Sequence, residues 1–248
     1  MADAARFVSG RVVLVTGSSR GIGAATALRF ANRGDAVVFN SATSVEEGER
    51  LAAQTPNSIY VQASVDVPGD PERLVGEVLD RLGRLDVLVN NAGTTSVINH
   101  HDLAAASLDV WRRIFEVNVF GTWAMSVAAM ESLRATNGSI VNVSSIAGIR
   151  QTGSSIPYAA SKAALNHLTA LLAKAVGPEV RVNAVAPGLV DTQWTENWDA
   201  IRHHVQAVAP LRRSATPEDV ASAIESLVDN VYVTGQVLAV DGGLTLMQ

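Results

Sequence analysis

Short apolar runs alternate along the chain with longer segments of helical spacing. Seven Val-containing runs predict buried strands at residues 12–16, 36–40, 59–63, 87–89, 140–143, 180–185 and 236–240. Helical patterns lie between them, at residues 24–33, 46–53, 71–82 and 107–133, near Tyr158, and from residue 216 onward. Strands that alternate with helices predict βαβ crossovers, and therefore a parallel sheet in an α/β fold.

The first predicted strand leads directly into a glycine-rich turn. Gly17, Gly21 and Gly23 follow that strand and precede a helix. In such a turn the backbone approaches a pyrophosphate closely, and the N–H groups of the helix start face its negative charge. The strand before and the helix after are the context that this motif requires. We therefore favour a dinucleotide phosphate site over a turn without a ligand.

The end of the second predicted strand indicates which dinucleotide would bind. An NAD site usually has an Asp or Glu here to accept the ribose hydroxyls, whereas this chain has Ser41, Ala42 and Thr43. No carboxylate would repel a 2′-phosphate, and the guanidinium of Arg20 suits phosphate oxygens. We therefore expect NADP(H) rather than NAD(H). The alternative is that Arg20 is a solvated surface charge and that the hydroxyls are ordinary loop residues.

A phenol and an amine lie four residues apart near the start of a helix. Tyr158 and Lys162 therefore share one helix face. An ammonium beside a phenol favours the phenolate, so the tyrosine pKa, ordinarily about 10, would move toward the range of a general acid/base. Ser145, after the predicted strand 140–143, could hydrogen-bond the oxygen that gains or loses the proton. The same spacing occurs on ordinary helix surfaces, so the pair alone does not establish catalysis.

Composition restricts the remaining classes of function. The 248 residues are 48% hydrophobic and carry a formal net charge of −5 without a Lys/Arg run, which argues against a nucleic-acid-binding surface. There is no cysteine, so disulfides and thiolate metal sites are excluded. The N-terminus lacks the features of a signal peptide, and no apolar run reaches spanning length. We expect one cytoplasmic domain without membrane contact and without a metal site, because the adjacent histidines of each pair point in different directions.

Two segments have more than one interpretation. Residues 189–213 are long for a connector and carry Trp194 and Trp198, which would share one helical face as a lid over an apolar substrate. Core packing or a subunit contact would explain the two tryptophans equally well. Asn118 lies inside the predicted helix 107–133, where asparagine is unfavourable. It marks either a kink that frees a carbonyl to hold water or an ordinary polar position.

Several motifs, in the same order along the chain, resemble those of the short-chain dehydrogenase/reductase family. They are TGSSRGIG at 16–23, NNAG at 90–93, Asn118, Ser145, YAASK at 158–162, NAVAPG at 183–188 and VTGQVLAVDGG at 233–243. The likeness is to the single-domain, 3-oxoacyl-ACP reductase-like type. It implies a Rossmann-type, doubly wound seven-stranded parallel sheet in a three-layer αβα sandwich over residues 1–248. It also implies a homotetramer, or a homodimer, that pairs through long helices.

The resemblance further implies roles for individual residues. Tyr158 would be the acid/base, and Ser145 would position the carbonyl oxygen. Lys162 would hold the nicotinamide ribose and lower the Tyr158 pKa, and Asn118 would complete a water-linked proton path to Lys162. The implied cofactor site comprises Gly17, Ser19, Arg20, Gly21, Ile22, Gly23, Ser41, Thr43, Ser64, Val65, Asn91, Ala92, Gly93, Tyr158, Lys162, Pro187, Gly188, Val190 and Thr192. The implied substrate site comprises Ser145, Ile146, Gln151, Tyr158, Trp194 and Trp198.

One loop departs from the family pattern. Ser64 and Val65 stand where many members have Asp-Val to hold the adenine amine, and Asp66 is a nearby substitute. The function implied overall is reversible hydride transfer between NADPH and a ketone or secondary alcohol, in a carbonyl reductase or 3-oxoacyl thioester reductase. The alternatives are an NAD-linked alcohol or sugar dehydrogenase and a non-catalytic NADP(H)-binding sensor or scaffold.

Overall fold

Seven parallel strands form the sheet of the computed structural model, which describes residues 10–247. They are β1 (Val12–Val15), β2 (Ala36–Ser41), β3 (Ser58–Gln62), β4 (Val87–Asn90), β5 (Ser139–Val143), β6 (Arg181–Pro187) and β7 (Val237–Val240). Their order across the sheet is β3-β2-β1-β4-β5-β6-β7, and every neighbouring pair is parallel. The predicted Rossmann-type parallel sheet is therefore confirmed.

Helices follow the strands along the chain. They are α1 (Gly21–Ala31), α2 (Val45–Gln54), α3 (Asp70–Leu82), α4 (Leu108–Phe115), α5 (Thr122–Ala135), α6 (Ile156–Val176), α7 (Asp199–Val208) and α8 (Pro217–Asp229). A π-helical turn (Glu116–Gly121) joins α4 to α5, and short 3₁₀ turns occupy Ile146–Gly148, Gln193–Thr195 and Leu244–Leu246. Within residues 10–247, every helix is too short or too polar to cross a bilayer.

Both faces of the central strands are buried under helices. In β1, Val12 and Leu14 belong to one apolar cluster, which includes side chains of α3, α5 and α6. Val13 and Val15, which point the other way, belong to a second cluster with α1 and α8. A strand that is covered on both faces is apolar at most of its positions. This explains why the strands appear in the sequence as continuous apolar runs, and it gives the predicted three-layer αβα arrangement.

The predicted element boundaries differ from the observed ones by at most three residues, with one exception. The predicted helix 107–133 is two α-helices separated by the π-helical turn. Asn118 lies in this turn, where its backbone carbonyl accepts a hydrogen bond from the Thr122 hydroxyl at 3.1 Å. The irregularity that the asparagine suggested is therefore present, as a wider helical turn.

Helix α6 begins where its sequence supplies a cap. The Ser155 hydroxyl accepts a hydrogen bond from the Tyr158 N–H at 3.4 Å, and Pro157 occupies the first turn. Buried residues such as Leu165 then hold the helix against the sheet. The start of α6 is thereby fixed, and with it the positions of Tyr158 and Lys162 in the first two turns.

Candidate active site

The turn between β1 and α1 brings its backbone close to the neighbouring strand end. Gly17 has a positive φ of 63°, and a Cβ there would lie 3.0 Å from the Cα of Ala92. A Cβ on Gly23 would lie only 2.4 Å from the Gly17 carbonyl oxygen. Asn91 holds the turn, since its side-chain amide donates to that same carbonyl at 2.9 Å. Because α1 starts at Gly21, the N–H groups of its first turn have no intrahelical partner and suit pyrophosphate oxygens.

A corner rich in hydroxyl groups lies at the end of β2. Arg20 donates to the Ser44 hydroxyl at 2.6 Å and to the Gln193 side chain at 3.3 Å. Ser41 and Thr43 line the same cleft. The sequence interpretation missed Ser44, because one more serine in a polar loop gives no distinct signal. This corner joins a guanidinium to several hydroxyls without a carboxylate at the end of β2.

The loop after β3 carries the substitute carboxylate. Asp66 lines the cleft beside Ser64, whose hydroxyl donates to it at 2.6 Å. Burial acts to raise the pKa of Asp66, but the hydrogen bonds from Ser64 and Arg113 outweigh it, so the pKa is lowered. Asp66 is therefore an ionised acceptor in the cleft. It follows by two residues Ser64, the position at which the family pattern has its aspartate.

Ser145, Tyr158 and Lys162 converge on one wall of the cleft. Ser145 lies two residues after the end of β5, and its hydroxyl caps a 3₁₀ turn by accepting from the Ala147 N–H at 3.1 Å. The Lys162 ammonium is buried, donates to the Val143 carbonyl at 2.8 Å and lies 5.6 Å from the centre of the Tyr158 ring. The three predicted groups, from two distant parts of the chain, are thus brought together.

The protonation of this wall differs from the prediction. Burial raises the pKa of Tyr158 above its ordinary value, although the neighbouring Ser145 hydroxyl acts in the opposite direction. Burial also lowers the pKa of Lys162 to about 8. The prediction that Lys162 lowers the Tyr158 pKa is therefore wrong for this structure. The reason is that the ammonium lies over the ring and is bonded to Val143, so desolvation of the phenol dominates.

Asn118 lies behind the cleft, outside its lining. Its side-chain oxygen accepts from the Thr94 N–H at 2.8 Å, and its amide donates to the Thr94 carbonyl and to the Ser161 hydroxyl, both at 3.0 Å. Ser161 in turn donates to the Tyr158 carbonyl at 2.7 Å. Asn118 therefore ties the loop after β4 to the start of α6, and the water-linked proton path stays a prediction.

One continuous cleft of about 1340 Å³ contains the glycine-rich turn, the hydroxyl-rich corner and the Ser145–Tyr158–Lys162 wall. All the predicted cofactor residues line it, and so do the predicted substrate residues other than Gln151. Gln151 is exposed outside the cleft, while its neighbours Thr152 and Gly153 line it. The prediction for Gln151 is wrong because the loop turns there and presents the next two residues inward.

The predicted lid, residues 189–213, consists of a 3₁₀ turn followed by α7. Trp194 lies in the 3₁₀ turn and Trp198 precedes the first residue of α7, so the expectation that both share one helical face is wrong. The chain changes direction between them. Both rings still line the cleft, and Trp198 packs against a small apolar cluster that contains Val205 and Leu244. The lid role stays a prediction.

The hydrogen-bond donors and acceptors of the cleft suit a phosphorylated dinucleotide. The helix start at Gly21 and the Arg20 guanidinium can take phosphate oxygens, Asp66 can take an amine, and Lys162 can take ribose hydroxyls. Among the described residues, no group of three or more His, Cys, Asp or Glu side chains is placed to hold a metal ion.

Comparison with known proteins identifies the family. The family model described as enoyl-(acyl carrier protein) reductase matches residues 16–245. A relative from Streptomyces violaceoruber, provisionally named ketoacyl reductase 2 of the granaticin polyketide synthase, is 57% identical over 95% of this chain and 96% of its own. The 3-oxoacyl-[acyl-carrier-protein] reductase of Synechocystis sp. is 36% identical over 96% of this chain and 98% of its own.

Solved structures agree with this assignment. A provisionally assigned short-chain dehydrogenase/reductase from Burkholderia xenovorans superposes with a TM-score of 0.90 at 38% identity, over 96% of this chain and 99% of that one. The structure described as ElxO with NADP bound gives a TM-score of 0.87 at 29% identity, over the same shares of the two chains. The chain therefore belongs to the short-chain dehydrogenase/reductase family, and it is an oxidoreductase that acts on CH–OH and C=O groups.

Proposed function

We propose that this enzyme uses NADPH to reduce the ketone of a 3-oxoacyl thioester. The observation that carries the proposal is the single cleft in which Ser145 and Tyr158 face the same space as the glycine-rich turn. A bound dinucleotide that starts at the turn would reach the phenol and the hydroxyl without leaving the cleft. A sensor would need only the dinucleotide half of this arrangement.

The preference for NADPH over NADH is supported by the corner at the end of β2. Arg20 is already directed there by Ser44, and the strand end offers hydroxyls where a carboxylate would repel a 2′-phosphate. ElxO, whose structure contains bound NADP, gives independent support at the level of a 29% identical neighbour.

The chemistry follows from the positions of the protein groups. When bound, the nicotinamide supplies a hydride equivalent to the carbonyl carbon. Ser145 donates a hydrogen bond to the carbonyl oxygen, where negative charge develops. Tyr158 gives this oxygen its proton and is left as the phenolate, which takes up a proton from solvent before the next turnover. Tyr158 is protonated at neutral pH and can give up this proton, although burial raises its pKa and makes it a weaker acid than a solvated phenol.

The substrate end of the cleft supports an acyl substrate. Apolar side chains surround the space beyond Ser145, among them Val97, Ile146, Trp198 and Leu244. An acyl chain would bury its methylene groups against them, at about 0.8 kcal/mol for each CH₂. The relatives named as ketoacyl and 3-oxoacyl reductases support the same substrate class.

Steady-state kinetics with a panel of substrates tests the proposal. We expect the highest kcat/KM with NADPH and a 3-oxoacyl thioester, and lower values with a simple ketone or with NADH. A matching enoyl thioester belongs in the panel, because the matched family model carries the enoyl reductase description. Faster reduction of the enoyl thioester would contradict the carbonyl assignment, and tight NADPH binding without any turnover would favour a sensor.

Replacement of the acid tests the mechanism. Tyr158→Phe removes the proton donor, so kcat should fall by at least about 100-fold while NADPH affinity is retained. Tyr232→Phe is the matched control, since Tyr232 is 98% exposed and lies outside the cleft. Near-normal turnover of Tyr158→Phe would refute the assigned role.

A further inference from the structure

Tyr60 on β3 stands behind the corner that Arg20, Ser41 and Ser44 form. Its hydroxyl lies 2.8 Å from the Ser41 hydroxyl. Tyr60 is half-buried and is absent from the lining of the main cleft, whereas Ser41 belongs to that lining. Among its hydrogen bonds, the one to the Ser41 hydroxyl therefore links Tyr60 to a ligand in the corner.

The ring of Tyr60 is held in place by the backbone of α2. A Cβ on Gly48 would lie 2.3 Å from one ring carbon of Tyr60 and 2.5 Å from the next. Glycine is unfavourable inside a helix, but here only a residue without a side chain leaves room for the ring. The phenol can move little, and its hydroxyl remains directed at Ser41.

A chain of hydrogen bonds runs from the phenol to the guanidinium. Ser41 donates to the Ser44 carbonyl at 2.9 Å, and the Ser44 hydroxyl accepts from Arg20 at 2.6 Å. A serine hydroxyl has one proton but can accept further hydrogen bonds. Because Ser41 gives its one proton to the Ser44 carbonyl, Tyr60 is the donor between the two hydroxyls, and its hydroxyl also lies 3.4 Å from the Ser41 carbonyl. A phosphate oxygen in the corner could take the Ser41 proton in place of the Ser44 carbonyl.

We propose that Tyr60 is a positioning residue for the 2′-phosphate of NADP(H). The Tyr60 hydroxyl donates to Ser41, which leaves the Ser41 proton free to be donated within the corner. Tyr60 thereby also stabilises the turn at Ser44, whose hydroxyl directs Arg20. The inference rests on the proposed use of NADPH and assigns its selectivity to a side chain that does not touch the cofactor. Replacement of Tyr60 should weaken ligands that carry the 2′-phosphate and leave other adenine ligands unaffected.

Calorimetric binding of two nicotinamide-free ligands, adenosine 2′,5′-bisphosphate and 5′-AMP, tests the inference apart from catalysis. For Tyr60→Phe we expect the Kd of the bisphosphate to rise by about two- to twelvefold, the range of one neutral hydrogen bond, with the Kd of 5′-AMP unchanged. In kinetics the KM for NADPH should rise while kcat is retained. Tyr232→Phe, on the exposed surface, should alter none of these values.

The route through Ser41 has its own test. Ser41→Ala should weaken the bisphosphate at least as much as Tyr60→Phe does. The double variant should then bind it no more weakly than Ser41→Ala alone, because Tyr60 has lost the group through which it acts. Two effects that multiply in the double variant would overturn the inference.

The outcomes separate this inference from the proposal beneath it. If the unaltered protein binds the two ligands equally, NADPH selectivity fails, and this inference fails with it. If the unaltered protein prefers the bisphosphate and Tyr60→Phe keeps that preference, only the role of Tyr60 is overturned. Equal weakening of both ligands would show a merely structural role and would also overturn it.

A spectroscopic measurement on the unaltered side chain covers the case in which Tyr60→Phe does not fold. The chain has three tyrosines, so the ¹³Cζ signal of Tyr60 can be assigned by elimination with Tyr158→Phe and Tyr232→Phe. The bisphosphate should shift this signal and 5′-AMP should not. A signal that neither ligand moves would overturn the inference.

Discussion

Gly148 separates the two parts of the catalytic wall, and Gly148→Ala should damage both stability and turnover. Gly148 ends the 3₁₀ turn that Ser145 begins. A Cβ there would lie 2.6 Å from the Lys162 carbonyl carbon and 2.7 Å from its oxygen. These are backbone atoms in the second turn of α6, so no flexible side chain can move aside.

The size of the effect follows from these distances. An ordinary contact begins at 3.4 Å, so the 3₁₀ turn and α6 must separate by about 0.8 Å. Overpacking of this kind costs about 1–3 kcal/mol of unfolding free energy. Tyr158 is on α6 and Ser145 on the displaced turn, so the two groups that act on the carbonyl oxygen would move apart. A misplacement of about 1 Å can lower the rate by about 100-fold.

Urea unfolding monitored by circular dichroism, together with kcat for ketone reduction, measures both effects. Gly76→Ala is the matched control, because Gly76 lies within α3 and a Cβ there meets nothing within 4 Å. That variant should gain about 0.5–1 kcal/mol and keep its kcat. NADPH binding by Gly148→Ala should weaken less than kcat falls, since the glycine-rich turn that takes the phosphates lies elsewhere in the cleft and only the Lys162 contact to the ribose is displaced. A wild-type urea midpoint and kcat for Gly148→Ala would refute the argument.

Two further predictions concern stability. Burial lowers the folded-state pKa of Lys162 to about 8, so the unfolded chain binds this proton more tightly. The free energy of unfolding should therefore rise with pH between about 8 and 10, by at most about 1.4 kcal/mol per pH unit. Urea titrations at several pH values should show this slope, and Lys162→Met should abolish it. Arg181 donates to the carbonyls of Leu227 and Val228 near the end of α8, at 2.9 and 2.6 Å. Arg181→Met should therefore lower the free energy of unfolding by about 1–3 kcal/mol in the same assay, without a change in kcat. An unchanged urea midpoint would contradict this.

The sheet could be predicted because burial on both faces leaves a simple pattern. The apolar run at 12–16 needs no partner to be recognised as a strand, and the glycines after it are explained by the turn they must form. The π-helical turn is different. Asn118 signals an irregular helix, but its bonds to Thr94 and Ser161 join segments that are 24 and 43 residues away. Only the folded arrangement determines these partners.

Electrostatics could not be predicted from spacing alone. Tyr158 and Lys162 share a helix face as their separation requires, yet the pKa of the phenol is raised. The sign depends on where the ammonium points and on how much water reaches the phenol, and both depend on Val143 and the cleft walls. Ser44, Gln151 and Tyr60 illustrate the same limit, because their roles depend on which way a loop or a neighbouring strand turns.

The location of the cleft, in contrast, follows from topology. From β1 the chain builds the sheet outward through β2 and β3, and it then returns to add β4 on the other side. The loops that follow β1 and β4 therefore leave in opposite directions and open a crevice at the carboxyl ends of the strands. Each neighbouring parallel strand delivers its next loop to the same edge, which brings Gly17, Asn91, Ser145 and Gly188 into one cleft. The hydrophobic pattern thus determines where a ligand binds, and a few polar side chains at that edge determine which ligand it is.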